Sequence, residues 1–176
     1  MLSVNLASCE SRAFAGIQCR LPLEQGRPAH VVNTASLAGL VSSPLMAPYN
    51  VTKQAVVALS ETLHYELSLQ QAQVSVSVLC PGPVASEIMA SDQVAGAAGA
   101  QFNELLDTSI RQGMTPLELA ELVFTAVREK RFWILPHKFF KPALERRMQS
   151  ILEETNPLFQ FVDEKGTEIE GEHDAA

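Results

Sequence analysis

Apolar positions along the chain alternate between a period near four and short, dense β-branched runs. Residues 3–25 carry Val4, Ala7, Phe14, Ala15 and Leu21 on one helical face and end at Gly26, so a helix is expected there. His30–Thr34 (HVVNT) is a compact run that predicts a buried strand. Gly39 to Pro48 is rich in Ser, Pro and Gly and reads as a loop. From Tyr49 to about Gln71 nothing breaks a helix, and Tyr49, Lys53, Val56, Ser60, Leu63 and Leu67 recur at three- and four-residue steps. A second strand, Val74–Cys80, stops at Pro81-Gly82, where proline cannot donate to a ladder. Residues 83–113 hold small residues (Ala95 to Gly99) between short helical patches and read as a mobile flap. Thr115, Pro116 and Glu118 form a helix-start signature for a helix reaching about Lys130. A short strand at Phe132–Leu135 and a last helix from Lys141 to Glu154 complete the series. Strands alternating with helices imply parallel pairing and right-handed crossovers, hence an α/β layer fold.

Composition narrows the class. The 176 residues suit one domain, and 47% hydrophobic with 19% charged residues is ordinary globular usage. No apolar run approaches the roughly 20 residues of a membrane span, and the N-terminus lacks the pattern of a secretory signal. Cys9, Cys19 and Cys80 are odd in number and form no CxxC pair, which favours reduced thiols in the cytosol. The net charge of −7 argues against nucleic acid, whose binding needs clustered Lys and Arg. Residues 161–176 concentrate acids (Asp163, Glu164, Glu168, Glu170, Glu172, Asp174) and are expected to be a disordered, solvated tail. Residues 1–137 are assigned to the main domain and 138–160 to a helical extension.

Four groups of residues stand in a telling order. Asn5 lies in the first helix, although a helical asparagine is also an ordinary polar surface residue. Ser36 follows the first strand, and Tyr49 and Lys53 form Tyr-x-x-x-Lys on one helix face. Pro81-Gly82-Pro83-Val84-Ala85-Ser86 follows the second strand. Tyr-x-x-x-Lys alone is a weak signal, because a buried Tyr near a surface Lys is common. The combination is specific.

The segments HVVNTASLAGL (30–40), YNVTK (49–53) and VLCPGPVAS (78–86) resemble the catalytic core of the classical short-chain dehydrogenases. The resemblance covers about residues 1–137. It implies a Rossmann-like, doubly wound parallel sheet lacking its first βαβ units. It also implies an NAD- or NADP-dependent oxidoreductase acting on a small-molecule alcohol or carbonyl. The family's catalytic tetrad maps onto Asn5, Ser36, Tyr49 and Lys53. Tyr49, Lys53, Pro81, Gly82, Val84 and Ser86 map onto the nicotinamide-binding surface, with the Val84 backbone at the carboxamide. The chemistry is coherent. A free tyrosine, with a pKa of about 10, is a poor base at neutral pH. A cationic lysine one turn away favours the phenolate, and Ser36 can hydrogen-bond the substrate oxygen. The resemblance further implies a homo-oligomer associating through helices near 3–20 and 49–70.

Part of the family pattern is missing. No glycine-rich turn precedes a helix in the manner that binds a pyrophosphate, so poor cofactor affinity and an open edge at the first strand are expected. A catalytically silent interaction module, or a gene fragment without an independent role, are the alternatives. A nucleotide-sugar epimerase also uses Tyr-x-x-x-Lys but needs a larger domain after residue 137. Met89, Val94, Phe102 and Leu105 either line a substrate pocket or pack helices. His64 reads as surface or core, and His30, His137 and His173 have no metal-ligand spacing with a Cys or carboxylate cluster. Asn50-Val51-Thr52 matches a glycosylation sequon by accident.

Overall fold

The computed structural model describes residues 28–87 and 97–159, together with the residue pairs 161–162 and 168–169. The expected first helix, with Asn5, lies outside the described residues, as do Met89 and Val94. The rest forms a layered α/β unit. Strand β1 (Ala29–Thr34) is followed by a 3-10 turn at Leu37–Gly39 and helix α1 (Ala47–Leu69). Strand β2 (Val74–Leu79) leads to helix α2 (Ala97–Arg111), helix α3 (Pro116–Arg128), strand β3 (Trp133–Ile134) and helix α4 (Lys141–Leu152).

The three strands form one parallel sheet in the order β1-β2-β3. β1 and β2 pair from Ala29 opposite Val74 to Thr34 opposite Leu79, and β3 meets β2 at Val78 and Leu79. Central β2 is covered on both faces. Val74, Val76 and Leu67 of α1 form one buried cluster, while Leu79 and Ile134 pack with Ala126 of α3 on the opposite face. The strand's alternating VSVSVL sequence fits this arrangement because Ser77, fully buried, is satisfied. Its Oγ donates to the Arg131 carbonyl at 2.6 Å and lies 2.7 Å from His30 Nε2. A buried hydroxyl without partners would cost stability.

A third cluster joins Ala35, Leu40, Val56, Val57, Val78 and Cys80 to Phe140, the residue before α4. Phe140 is 2% exposed, so the segment after β3 is anchored in the core at the carboxyl ends of β1 and β2. Arg147 of α4 adds a bond from Nη1 to the Leu40 carbonyl at 3.0 Å.

Most expected elements lie within a few residues of their reading. α1 begins at Ala47, two residues before Tyr49, because Pro48 fits a helix's first turn. The capping box at Thr115 and Glu118 is present, both side chains bonding the opposite backbone. The flap reading does not hold for 97–111, which form one continuous helix. The run of alanines reads as loop by residue size, yet alanine carries the lowest helix cost of any residue. α4 falls inside the 138–160 extension, and the described part of 161–176 is an antiparallel pair of β4 (Phe161–Val162) with β5 (Glu168–Ile169).

Candidate active site

At the end of β1 the chain passes through Ser36, extended at φ −171°, into the 3-10 turn. Ser36 Oγ accepts from the Ala38 amide at 3.3 Å and so caps that turn. The turn lies hard against α1 because its third residue is glycine. A Cβ on Gly39 would stand 2.8 Å from both the Lys53 carbonyl oxygen and Val57 Cγ2. This close approach sets Ser36 beside the helix that carries Tyr49 and Lys53.

Tyr49 and Lys53 are half-buried and one turn apart near the start of α1. Lys53 Nζ lies 5.7 Å from the centroid of the Tyr49 ring, within cation–π range. It also donates to the Thr34 carbonyl at 3.3 Å, which fixes the ammonium at the carboxyl end of β1. Burial lowers the Lys53 pKa below its usual range. Cys80, fully buried at the end of β2, has its thiol pushed up to about 12 by burial. The Ser36 backbone N–H and the Lys53 charge act in the opposite direction. Cys80 is therefore a neutral thiol packed beneath the site.

The turn after β2 closes the other side. The Leu37 amide, adjacent to Ser36, donates to the Pro81 carbonyl at 2.9 Å. The Gly82 amide donates to His137 Nδ1 at 3.0 Å. Further along, Ala85 donates to the Met114 carbonyl at 2.9 Å and Met114 to the Pro83 carbonyl at 3.2 Å, around a parallel bridge between Val84 and Met114. Val84 is half-buried and Ser86 is exposed. Lys53 and Pro81 are thus each bonded within the segment Thr34–Leu37 that flanks Ser36, with Tyr49 beside Lys53, at the carboxyl ends of adjacent parallel strands, where open α/β sheets usually bind ligands.

His64 lies 15 residues beyond Tyr49 on α1, roughly 22 Å along the axis, with its ring 5.0 Å from that of Phe132. Asn50, 6% exposed, donates to the Ser43 carbonyl at 2.7 Å, so the apparent sequon is closed inside the fold. Phe102 and Leu105 lie on α2, where Leu105 is exposed. Among the described residues no group of three or more His, Cys, Asp or Glu is placed to hold a metal. Nor is any described helix long and apolar enough to cross a membrane. Sequence reasoning missed three contributors: the Thr34 carbonyl, Gly39 and His137. Only Gly39 left a trace, as the single glycine between strand and helix near Ser36.

Comparisons with known proteins agree on one family. The short chain dehydrogenase family model matches residues 1–95. A CLA biosynthesis dehydrogenase/reductase of Lactiplantibacillus plantarum is 28% identical over 158 residues, covering 80% of this chain and 54% of the relative. A C alpha-dehydrogenase of a Sphingobium strain is 29% identical over 144 residues, covering 77% of this chain and 47% of the relative. A short chain dehydrogenase/reductase from Burkholderia phymatum, solved in complex with NAD, superposes with a TM-score of 0.71 at 33% identity. That match covers 79% of this chain and 53% of the other. The chain spans about half the length of the relatives it matches.

Proposed function

Because the chain belongs to the short-chain dehydrogenase family, we propose that it carries the proton-handling half of a nicotinamide-dependent oxidoreductase site. The substrate is a small alcohol or carbonyl compound. Tyr49 is the general acid/base. Lys53 supplies the positive charge beside it and binds the nicotinamide ribose, Ser36 holds the substrate oxygen, and Asn5 completes the proton relay. The observation that carries this reading is the Lys53 ammonium, which lies 5.7 Å from the Tyr49 ring centroid and is bonded at 3.3 Å to the carbonyl of Thr34, two residues before Ser36 in the sequence.

The donor set suits the nicotinamide end of NAD or NADP. Lys53 offers an ammonium to the ribose hydroxyls, and the turn after β2, with Pro81, Gly82, Val84 and Ser86, is assigned to the nicotinamide by the family resemblance. The cofactor, when bound, supplies the hydride acceptor for alcohol oxidation or the donor for carbonyl reduction. In the oxidative direction the alcohol proton passes to the Tyr49 oxygen while Ser36 Oγ keeps a hydrogen bond to the substrate oxygen. Lys53 stabilises the phenolate form of that cycle, since an opposite charge nearby favours an ionised group. In reduction the same proton returns from Tyr49 to the carbonyl oxygen.

The pyrophosphate-binding turn expected of the family is absent from the sequence, so the 176-residue chain on its own is expected to bind the cofactor weakly and turn over slowly. Association through α1 is part of the same reading, supported by exposed Val51, Tyr65 and Leu69 on that helix. A cytoplasmic setting is part of the same reading, proposed from the odd number of cysteines and the lack of a CxxC pair in the sequence. A second reading, a catalytically silent module that pairs with an intact dehydrogenase, rests on the same exposed apolar residues of α1.

Absorbance of reduced cofactor during incubation with a panel of secondary alcohols tests the first reading. Turnover that drops by about 10²–10⁴-fold in Tyr49→Phe is the expected outcome for a lost general base. Turnover unaffected by that substitution overturns it. No turnover, with stable co-elution of an added full-length relative, favours the silent module.

A further inference from the structure

We infer that His137 is a positioning residue that fixes the nicotinamide-facing turn by taking the one backbone donor that turn possesses. This inference rests on the cofactor placement proposed above. The turn reads Pro81-Gly82-Pro83. Proline has no amide hydrogen, so across these three residues only Gly82 can donate from the backbone. That single N–H is given to His137 Nδ1 at 3.0 Å, from a residue 55 positions away.

The fit is steric as well as polar. A Cβ on Gly82 would lie 3.0 Å from His137 Cγ and 3.0 Å from Leu37 Cδ1. A side chain at this position would crowd the imidazole, and glycine leaves it room. The ring is itself held: its centroid is 5.9 Å from that of Phe139 in an edge-to-face contact, and the next residue, Phe140, is buried in the core with Ala35 and Cys80. From His137 the connection runs through Gly82 to Pro81, whose carbonyl accepts from Leu37, the neighbour of Ser36. One imidazole therefore links the segment after β3 to the two loops that carry Ser36 and the proposed carboxamide contact at Val84. Nδ1 serves only as an acceptor here, which fixes the tautomer with the proton on Nε2.

His137 does not reach the reacting atoms in this account; it acts through Gly82. The test uses the full 176-residue chain, labelled with nitrogen-15, and NADH as the probe. In wild type a scalar coupling between the Gly82 amide nitrogen and His137 Nδ1 is expected, the direct signature of an N–H···N bond. His137→Ala removes the acceptor, whereas His137→Asn places Oδ1 close to where Nδ1 stood. NADH affinity, read from amide shifts, is expected to fall about five- to tenfold in His137→Ala, the usual scale for one hydrogen bond. His137→Asn is expected to return to within about twofold of wild type on the same argument. A role in general stability alone would not separate the two variants in this way. Absence of the coupling, or equal NADH affinity in both variants, overturns the inference while shifts at Tyr49 and Lys53 still support the cofactor reading. NADH that shifts neither Tyr49 nor Lys53 in wild type overturns both together.

Discussion

His30 shows how much a single side chain depends on partners that no local pattern reveals. Its Nε2 lies 2.7 Å from Ser77 Oγ, and Ser77 spends its own proton on the Arg131 carbonyl, so the imidazole must donate. Burial, then repulsion from Lys130, lowers its pKa below the ordinary 6.5. A depressed histidine pKa means that the folded state binds fewer protons than the unfolded one. Its contribution to stability is therefore present above about 6.5 and is lost as pH falls through the folded-state value. Urea midpoints are expected to drop between pH 7.5 and pH 5, and His30→Gln is expected to flatten that drop. Equal slopes for the two proteins would refute this assignment. Tyr49, Lys53 and Ser36 were legible in the sequence because their spacing is local and their residue types are chemically demanding. His137 was not, since its partner is 55 residues away and its sequence neighbours say nothing about Gly82.

Helices and strands were legible wherever an apolar period or a proline marked them. The long helix, the two main strands and the helix behind Thr115 all follow from such marks. Their ends were less so. Gln71, Lys130 and Glu154 adopt positive φ values of 52°, 53° and 55° directly after helix caps, a place where glycine is the usual signal. The Gln71 and Ala72 amides bond the Ser68 and Leu67 carbonyls, closing α1 without a glycine. Gly39 carries the opposite lesson, a glycine whose φ is unremarkable but whose missing Cβ is essential. With 2.8 Å to the Lys53 carbonyl oxygen, the contact is to backbone and cannot be relieved by rotating a side chain. Gly39→Ala is expected to destabilise the fold by about 1–3 kcal/mol, the scale of overpacking, and to displace Lys53 from Thr34. Thermal denaturation together with the Thr34 carbonyl carbon shift checks this; an unchanged melting temperature would contradict it.

At the scale of the molecule, three parallel strands are enough to build one wall of a crevice and the charged centre within it. β1 has a single sheet neighbour, β2, among the described residues, and its side chains are mostly half-buried. A strand edge with no further neighbour among the described residues is a template for association. The 176-residue chain is accordingly expected to elute as a dimer or larger species, and a monomer persisting at high concentration would count against it. Layer order was readable from the alternation of strand and helix periods, and the family from the segments 30–40, 49–53 and 78–86. The bracing of the crevice by the segment after β3 was not, because Phe140 and Arg147 reach the core only through tertiary packing. The central claim is that an ammonium held at the end of β1 and a phenol one helical turn earlier face a nicotinamide. Titrating NADH into the nitrogen-15-labelled chain tests it most directly. Shifts concentrated at Ser36, Tyr49, Lys53 and Val84, in the fast exchange of a weak ligand, are the expected result. Spectra unchanged at millimolar NADH, or shifts confined to the outer faces of α2 and α3, would contradict it.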